Sequence, residues 1–558
     1  MSDGETQDTR RIVIVGGVAG GASAAARARR TNARAEIVLL EKGPAVSFAN
    51  CGLPYHLGGE IAERKKLLVA TPLLFKQRFQ IDVRTECEVN SIDRGEKKVS
   101  GIDHRTGQPF TLGYDRLILA TGSEPLRPAF VPLYANNVFQ LWTLPDLDAV
   151  MACVAKTSPK QAIIIGGGFV GLEVVEQIRR LGMHVTLIEL GMQVLKPLDA
   201  EMARYVEDEI ERKGVQLLLG TNVESVECSG DKAVAVVLAD GRRLDCDLII
   251  VGAGVRPRVE LAHSAGLRIG TCGGVSVNEF MQTSDPLIYA VGDMTEVPHG
   301  VLESPQRIPL AGPANRGGRI AGAHAASGKS RPMGNILGTA IVRVFDLVAA
   351  VTGINEQTCL ELGLDYRVAT IQAADHASYY PGAKELTIKL LYHSDDGRIL
   401  GAQVIGQSGV DKRIDIVATA MQFRGTVHDL AQLDLAYAPP FGSAKDPIHM
   451  VAFVAENDLE TRPALLSSHS PLGGYQVVDV RTAAERERLP LADACHIPID
   501  ELGTRWKELD PQAPTIVICH SGKRAHVGAC WLRGQGFAQV KNANGGMAVR
   551  RQQAVRSV

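Results

Sequence analysis

Two cysteines occur in sequence contexts that favour thiol chemistry, and the first of them is Cys51. It lies in the segment 47–55, SFANCGLPY, where Gly52 permits a bend and Pro54 suits the first turn of a helix. A thiol at a helix N-terminus gains thiolate character from the helix dipole and from free backbone N–H groups. The segment therefore predicts a reactive thiol at Cys51, the alternative being an inert buried cysteine.

The second cysteine, Cys519, is the first residue of the hexapeptide 519–524, CHSGKR, which follows the apolar run 516–518 and precedes a predicted helix. In such a loop successive backbone N–H groups converge on the sulfur and stabilise a thiolate or a persulfide. Gly522 permits the tight bend and Arg524 adds positive charge. The loop therefore predicts a sulfur-carrying thiol at Cys519.

Two glycine-rich turns are predicted to bind dinucleotides and so to position the first thiol. The first turn belongs to a strand–turn–helix–strand unit with these parts: strand 11–15, turn glycines Gly16 and Gly21, a helix to Arg30, and strand 37–40 ending in Glu41. The glycines let a pyrophosphate approach the helix N-terminus, and the terminal carboxylate accepts hydrogen bonds from ribose hydroxyls. Val18 stands where the middle glycine of this pattern usually lies.

The same unit recurs later in the chain. Its parts are strand 163–165, turn glycines Gly166, Gly168 and Gly171, a helix to Arg180, and strand 185–188 ending in Glu189. Two complete units are far more specific than one, which could be a tight turn without a ligand. No arginine follows Glu189 in residues 190–194, so the carboxylate should repel a 2′-phosphate. NADH is therefore the expected nicotinamide cofactor, with NADPH as the alternative.

These tandem units resemble the pyridine nucleotide-disulfide oxidoreductases over residues 11–453. Three further stretches carry the resemblance: 117–122 (LILATG, with Thr121 and Gly122), 248–257 (LIIVGAGVRP) and 283–293 (TSDPLIYAVGD, with Asp293). The resemblance implies that the first unit binds FAD, that Asp293 hydrogen-bonds the ribityl chain, and that the second unit binds the nicotinamide. It also implies a dimerisation domain and hence a homodimer.

The last part of the chain resembles the rhodanese domain, a sulfurtransferase module, through the C-x-S-G-x-R loop and the strand-like run 475–481. Asp479 and Arg481 in that run are predicted to form an internal ion pair, and Cys495 and Cys530 to be bystanders. The expected fold class is α/β, with two Rossmann-like dinucleotide-binding domains, an α+β dimerisation domain and a C-terminal α/β rhodanese domain. The expected boundaries are 1–125 with 255–335 (FAD), 126–254 (NAD(H)), 336–455 (dimerisation), 456–474 (linker) and 475–558 (rhodanese).

The number of cysteines around position 51 limits which redox mechanisms are possible. Dithiol members of the family carry C-x4-C here, whereas the next cysteine after Cys51 is Cys87, too distant in sequence to be that partner. A single thiol must store its second oxidising equivalent as a sulfenic acid or as a mixed disulfide with a small thiol. The sulfenic acid enzymes, NADH peroxidases and oxidases, carry a histidine where Ala19 stands here. The motif S-F-x-x-C-G-x-P-Y instead resembles the coenzyme A-disulfide reductases.

Basic residues on the first predicted helix favour coenzyme A independently. Ser23, Arg27, Arg30 and Arg34 are spaced by 4, 3 and 4, which places them on one face of a helix. Such a face suits the phosphates of an ADP-like group, the alternative being an ordinary solvated surface. The resemblance assigns these positions, together with Ser47 and Asn50, to coenzyme A binding, and Lys445, eight residues after Tyr437, is expected to be a further phosphate contact.

Two tyrosine segments complete the candidate site. The resemblance implies that one tyrosine from each of 379–382 (YYPG) and 437–440 (YAPP) reaches the active site of the other subunit. We assign Tyr379, rather than Tyr380, and Tyr437 to this role, in which a phenol donates a hydrogen bond to a leaving thiolate. Packing at the dimer interface is the alternative. Glu173, just inside the second helix, is expected near the nicotinamide or as a solvated residue.

Composition excludes several other functions. With 60 Lys+Arg and 62 Asp+Glu the net charge is −2, which gives no field for nucleic acid, and no apolar run approaches a membrane span. No C-x-x-C pair occurs among the ten cysteines, so neither a metal site nor a disulfide framework is expected. The polar residues 1–10 contain no signal peptide, which predicts a cytoplasmic protein.

The predicted function is NADH-dependent, FAD-dependent reduction of coenzyme A persulfide, polysulfide or coenzyme A disulfide, with sulfane sulfur relayed by the rhodanese module. The residues leave these three substrates open. Two alternatives remain: an NADH oxidase or peroxidase that uses a cysteine sulfenic acid, and a redox sensor whose rhodanese module docks a partner.

Overall fold

The computed structural model of the chain describes residues 9–132 and 134–554, the last four of these by their backbone only. Most of the polar start of the chain, where no signal peptide is expected, lies outside the described residues. The chain divides into two compact units. The first contains Met1–Met192 and Gly214–Gly338, and the second contains Gln193–Lys213 and Thr339–Val558.

The first unit is built on two five-stranded parallel sheets, one for each predicted dinucleotide unit. The first sheet has the strand order Ile288–Ala290, Arg116–Leu119, Arg11–Val15, Glu36–Leu40, Asp82–Arg84. The second has the order Gln216–Leu218, His184–Ile188, Gln161–Ile165, Leu248–Val251, Val138–Phe139. The central strands are almost wholly apolar and buried, as expected of parallel strands covered on both faces.

Helices cover these sheets, and short strands form smaller sheets of their own. The helices are Ala19–Thr31, Leu53–Leu57, Pro72–Phe79, Leu144–Thr157, Phe169–Arg180, Glu260–Ser264 and Ala311–Ser327. The antiparallel sheets are Cys87–Asp93 with Lys98–Asp103 and Gln108–Gly113, and Val223–Ser229 with Lys232–Leu238 and Arg243–Asp245. Smaller pairings join Ser123–Pro125 to Val255–Pro257, and Val275–Ser276 to Thr295–Pro298 and Pro305–Gln306.

Each predicted strand–turn–helix–strand unit is present in the first unit. The first helix begins at Ala19 and ends at Thr31, and the corresponding helix of the second sheet spans Phe169–Arg180. Arg34 was predicted on the first helix, but it lies beyond the helix end, where Asn32 is the C-cap in an extended conformation. The predicted basic face therefore contains two arginines of the helix rather than three.

The second unit contains a five-stranded antiparallel sheet and a five-stranded parallel sheet. The antiparallel order is Ala340–Val344, Leu347–Gly353, Ile399–Gly406, Glu385–His393, Tyr366–Ala374, so Tyr366–Ala374 is an edge strand. The helices beside this sheet are Ala200–Arg212, Glu356–Leu362, Val410–Gln422, Val427–Ala431 and Pro447–Leu459. Although Ala200–Arg212 falls within the predicted NAD(H) domain in sequence, it belongs to the second unit.

The parallel sheet forms the C-terminal module and has the order Leu465–Leu466, Val540–Ala543, Thr515–Ile518, Gln476–Asp479, Cys495–His496. Its helices are Ala483–Arg488, Ile499–Arg505, Lys523–Gly534 and Gly546–Ala554. Leu465–Leu466 lies in the stretch predicted as a linker, yet it pairs with Asn542 and Ala543 as an edge strand. The predicted ion pair is confirmed, because Arg481 Nη2 lies 2.7 Å from Asp479 Oδ2 and both residues are buried.

The first glycine-turn helix packs against the helix Ala311–Ser327 at very short range. A Cβ added at Gly318 would lie 2.2 Å from the carbonyl oxygen of Gly20, and one at Gly322 would lie 2.3 Å from that of Ala24. Real Cβ atoms do not approach backbone oxygen so closely, so both positions require glycine. This packing fixes the helix whose N-terminus carries the first turn.

We predict that Gly318→Ala destabilises the protein by about 1–3 kcal/mol, because the methyl group must push the two helices apart. Gly312 lies in the same helix with no atom within 4 Å of an added Cβ, so Gly312→Ala is the matched control and should be neutral or slightly stabilising. Thermal unfolding of the two variants tests this, and equal melting temperatures would show that the helix contact is not a packing constraint.

Candidate functional site

Cys51 lies at the surface of the first unit in a short 3-10 turn, Asn50–Gly52, directly before the helix Leu53–Leu57. Its backbone N–H donates to Asn50 Oδ1 at 3.1 Å, and its Sγ lies 3.7 Å from the same oxygen. Ser47, four residues earlier, has a positive φ of 47°, a strained conformation for serine. The turn therefore presents the thiol and the Asn50 side chain together.

The electrostatic surroundings of Cys51 act on its thiol in both directions. Burial raises the pKa of the Cys51 thiol, and the carboxylates of Glu173 and Asp293 raise it further. A backbone hydrogen bond at Cys51 lowers the same pKa, and the helix that follows has only five residues. Activation of the thiolate by the helix N-terminus therefore stays a prediction.

The helix that follows Cys51 is joined to the helix that follows the second glycine turn. Tyr55 Oη donates to Glu173 Oε1 at 2.9 Å, and Gln177 Nε2 donates to Glu60 Oε1 at 2.9 Å. Arg180 Nη1 donates to the same Glu60 oxygen at 3.1 Å. These contacts hold Glu173 where its carboxylate raises the pKa of the Cys51 thiol. The sequence analysis expected Glu173 near the nicotinamide or as a solvated residue.

The first glycine turn and its carboxylate form a site that fits FAD. Glu41 accepts hydrogen bonds from the backbone N–H groups of Gly17 and Gly43, both at 2.7 Å. An added Cβ at Gly21 would lie 1.8 Å from the carbonyl oxygen of Gly16, so the helix packs closely against the end of the strand, as in a dinucleotide-binding turn. Glu41 is thus held at the end of its strand, beside the glycine turn.

Three further residues predicted to bind the flavin lie at the exits of the first sheet. Asp293 Oδ2 accepts from Ser123 Oγ at 2.8 Å, and burial raises the pKa of Asp293. Thr121 Oγ1 donates to the carbonyl oxygen of Arg258 at 2.9 Å, while Gly122 adopts a positive φ of 66° with open space around it. A half-buried carboxylate beside open backbone suits a ligand rich in hydroxyl groups.

The second glycine turn repeats this geometry and fits a nicotinamide dinucleotide. Glu189 accepts from Gly167 N at 2.6 Å and from Gly191 N at 2.7 Å. A Cβ at Gly171 would lie 1.9 Å from the carbonyl oxygen of Gly166, whereas Gly168 has open space around it. The carboxylate is held where the adenosine ribose of NADH would need an acceptor, which agrees with the predicted preference for NADH.

The predicted coenzyme A residues of the first helix have different surroundings, and in the part of the chain that the structure describes only Ser23 makes a hydrogen bond to the helix Ala311–Ser327. Ser23 Oγ donates to Asn315 Oδ1 at 2.5 Å. The Nε atom of Arg27 is buried and has no hydrogen-bond partner among the described residues, which fits an anionic ligand. The Arg30 guanidinium lies 5.1 Å from the centre of the Phe79 ring, a cation–π contact that the sequence did not suggest.

The structure brings together the two predicted tyrosines of the second unit. Tyr379 Oη and Tyr437 Oη are 2.8 Å apart, and this hydrogen bond raises the pKa of Tyr379. Tyr380 instead packs edge-on against His376, so Tyr379 is the better choice of the two. A cavity of about 360 Å³ lies beside Tyr437, lined by Lys412, Ala436, Tyr437, Ala438 and Phe441. Lys445 is exposed in the same loop region.

The Cys519 loop has the geometry of a sulfur-carrying site. Cys519 is buried, and its Sγ accepts from the backbone N–H of Gly522 at 3.1 Å. Arg524 makes a two-pronged hydrogen bond to Glu485, at 2.8 Å and 2.6 Å, which lowers the pKa of Glu485 to about 2. Sequence reasoning missed Glu485; the T-x-x-E capping box at Thr482 signalled a helix start but not this partner.

A buried charged cluster joins three parts of the second unit. The ammonium of Lys389 contacts the carboxylates of Asp199, Glu201 and Glu356. His469 Nε2 lies 3.3 Å from Glu201 Oε2 and 3.7 Å from Glu356 Oε2. Glu201, Glu356 and His469 offer ligand atoms within reach of one metal ion, but the Lys389 ammonium already supplies a cation to these carboxylates.

Comparison with known proteins identifies the class. Residues 10–327 match the pyridine nucleotide-disulphide oxidoreductase family, 339–447 match its dimerisation domain, and 463–549 match the rhodanese-like domain. The chain therefore belongs to the pyridine nucleotide-disulphide oxidoreductases, and it is an oxidoreductase with a fused rhodanese domain. Membership implies FAD and NADH as cofactors and confirms the predicted fold class. No helix among the described residues has both the length and the apolar character needed to cross a membrane.

Three known proteins are similar to this chain over most or all of their length. The chain is 41% identical to Bacillus anthracis CoADR-RHD, whose reduced crystal structure matches with a TM-score of 0.95 over 98% of each chain. It is 37% identical to a NAD-dependent persulfide reductase from A. fulgidus, with a TM-score of 0.90 over 97% of this chain and 99% of that one. It is 34% identical to the coenzyme A disulfide reductase of Staphylococcus haemolyticus, over 80% of this chain and the whole of that protein.

We predict that the His469 contacts make stability depend on pH. Hydrogen bonds to Glu201 and Glu356 raise the pKa of His469 to about 10 from an unfolded value near 6.5. A raised pKa stabilises the fold fully below the unfolded value, and this contribution is lost as pH rises toward 10. Melting temperature measured from pH 6 to 10 should fall more for the wild-type protein than for His469→Ala.

The matched control is His428→Ala, which removes an exposed histidine 2.8 Å from Glu456 in the same unit. This variant should keep the wild-type pH dependence. If His469→Ala and the wild-type protein show parallel curves, protonation of His469 is not coupled to folding.

Proposed function

We propose that the protein is an FAD-dependent enzyme that uses NADH to reduce coenzyme A persulfide, and also polysulfide and coenzyme A disulfide. The observation that carries this proposal is the presence of two suitable thiols in one chain. Cys51 is exposed beside the residues predicted to bind FAD and the nicotinamide, and Cys519 lies in a loop of the kind that stabilises a persulfide. Cys87 is buried and free, so no second thiol is offered as a disulfide partner there. A reductase of disulfides alone would need no sulfurtransferase domain.

Cys51 is the nucleophile of the proposed reaction. Its thiolate attacks the carbon-bound sulfur of coenzyme A persulfide, the S–S bond breaks, and sulfide leaves, which forms a mixed disulfide between Cys51 and coenzyme A. FAD supplies the two-electron transfer between NADH and this disulfide. Reduction then returns the Cys51 thiolate and releases coenzyme A thiol, so that NADH, one proton and the persulfide give NAD⁺, hydrogen sulfide and coenzyme A.

Neighbouring residues support these steps. Asn50 Oδ1 holds the backbone N–H of Cys51 and keeps the thiol in its turn. Because Glu173 and Asp293 disfavour the thiolate, we infer that Cys51 reacts fastest once a cationic or hydrogen-bond donor group offsets these carboxylates. The resemblance implies that the linked phenols of Tyr379 and Tyr437 reach the active site of the other subunit, where they would donate a hydrogen bond to the leaving sulfide.

The rhodanese loop supplies the substrate in this proposal. Cys519 takes sulfane sulfur from a donor and forms a persulfide, and coenzyme A thiolate then attacks its outer sulfur to regenerate the Cys519 thiolate. Coenzyme A persulfide formed in this way is the substrate of Cys51. The dimerisation domain at 339–447 supports a homodimer, and ten free cysteines fit a reducing compartment such as the cytoplasm.

We predict that Cys51→Ser retains FAD and still oxidises NADH slowly, because the dinucleotide residues do not use the thiol. Turnover of coenzyme A persulfide should fall by at least about a hundredfold, as expected when a covalent nucleophile is removed. Steady-state NADH oxidation with sulfide detection measures this. Near-normal sulfide release by Cys51→Ser would remove the residue from the mechanism, and rapid wild-type oxygen consumption without a thiol would favour an oxidase.

We predict that Arg30→Glu weakens coenzyme A substrates while sparing inorganic polysulfide, since only the former carry remote phosphates. Loss of one arginine–phosphate pair should raise the KM for coenzyme A persulfide by about ten- to a hundredfold. Arg34→Glu is the matched control because it makes the same charge change outside the helix. Equal losses with the two substrates would show that the arginine surface is only solvated.

A further inference from the structure

The edge strand Tyr366–Ala374 of the antiparallel sheet accepts a side chain from the C-terminal module. Asn544 Oδ1 accepts from the backbone N–H of Thr370 at 2.8 Å, and Asn544 Nδ2 donates to the carbonyl oxygen of Val368 at 3.0 Å. The amide thus makes the two hydrogen bonds that a neighbouring strand would make. Asn544 is 3% exposed, and its own backbone N–H donates to Leu466 O at 3.0 Å.

The two residues after Asn544 lead directly to the Cys519 loop. Gly545 and Gly546 have positive φ values of 64° and 61°, which turn the chain into the last helix. A Cβ at Gly546 would lie 2.5 Å from the carbonyl oxygens of both Cys519 and His520. The chain therefore passes the loop at a distance that only glycine allows.

The last helix then holds the loop by its first free N–H groups. Met547 N donates to Cys519 O at 2.9 Å, and Ala548 N donates to His520 O at 3.0 Å. The same helix is attached to the antiparallel sheet side a second time, since Tyr205 Oη donates to Ala548 O at 3.4 Å and accepts from Gln372 Nε2 at 3.2 Å.

From this continuous set of contacts we infer that Asn544 is a positioning residue for sulfur transfer, which sets the Cys519 loop by anchoring it to the edge of the dimerisation sheet. The inference rests on the proposed role of Cys519 as the sulfur carrier. Asn544 touches no reacting atom; it acts through Gly546 and the N–H groups of Met547 and Ala548. The C-terminal module is therefore not an independent carrier on a tether, because its reactive loop is completed by contacts outside its own sheet.

The step that Asn544 is expected to affect is the transfer of sulfane sulfur from a donor to Cys519. With thiosulfate as donor, the Cys519 thiolate attacks the outer sulfur, the S–S bond of thiosulfate breaks, and sulfite leaves with the bonding electron pair. Cyanide then removes the outer sulfur as thiocyanate and regenerates the thiolate. The loop must keep Gly522 N within hydrogen-bond distance of Sγ, 3.1 Å in the structure, while charge changes on the sulfur.

The test compares Asn544→Ala and Asn544→Asp with the wild-type full-length, FAD-loaded protein in the thiosulfate:cyanide assay. We expect Asn544→Ala to lower kcat at least about tenfold with KM for thiosulfate within about twofold, since misplacement of the loop slows the step without removing Lys523 or Arg524. Asn544→Asp keeps the acceptor for Thr370 N but turns a carboxylate oxygen toward the carbonyl oxygen of Val368, so it should lose at least as much kcat as Asn544→Ala.

A second variant removes the other partner of the same hydrogen bond, the backbone N–H of Thr370. Thr370→Pro removes the N–H that Asn544 accepts, at an edge position where proline costs no hydrogen bond inside the sheet. It should lower kcat like Asn544→Ala, and the double variant should be no worse than either single one. Asn355→Ala, which removes the cap of the helix Glu356–Leu362, is the matched control and should leave kcat unchanged.

Two readouts separate this inference from the proposed function. Cys519→Ser tests the function: if it retains thiocyanate formation, Cys519 is not the carrier. The iodoacetamide alkylation rate of Cys519, followed by mass spectrometry of its peptide, tests the inference directly, and Asn544→Ala should change it at least about tenfold. NADH oxidation with coenzyme A disulfide should stay normal as the check of folding. Unchanged alkylation and kcat in Asn544→Ala would overturn the inference, as would an equal loss in Asn355→Ala.

Discussion

The reductase half of the chain depends on a close backbone contact inside each glycine turn. In the first turn a Cβ at Gly21 would lie 1.8 Å from the carbonyl oxygen of Gly16, and in the second a Cβ at Gly171 would lie 1.9 Å from that of Gly166. This contact sets the angle at which each helix leaves its strand. The carboxylates of Glu41 and Glu189 can then reach the backbone of the turns, and the dinucleotide sites follow from that geometry.

Features that depend on neighbours in sequence could be predicted. Both strand–turn–helix–strand units, the strand Leu248–Val251 and the Asp479–Arg481 ion pair are local, since each is specified by residues close in the chain. The predicted helix face failed at Arg34 for a local reason as well, because the helix ends at Thr31 before the fourth position is reached. Spacing alone does not show where a helix stops.

Contacts between distant segments could not be predicted. Ser23 with Asn315, Tyr55 with Glu173, and Arg524 with Glu485 join residues that no local pattern relates. The consequence is largest at Cys51, whose sequence context predicts activation by a helix. The carboxylates of Glu173 and Asp293, contributed from far along the chain, raise the pKa of this thiol, and the local sequence could not indicate them.

In the second unit, specific contacts join the C-terminal module to the dimerisation domain. His469 and Leu465–Leu466 lie in the stretch that composition marks as a linker, yet the histidine joins the buried cluster around Lys389 and the strand extends the parallel sheet. Asn544, directly after the strand Val540–Ala543 of the parallel sheet, adds a contact to the antiparallel sheet. A flexible linker would let the carrier explore many positions, whereas these contacts attach the module that carries the Cys519 loop to the dimerisation sheet. Transfer of sulfur from a loop fixed in this way then requires a mobile acceptor, and the long flexible arm of coenzyme A is the component of the proposed reaction that can move.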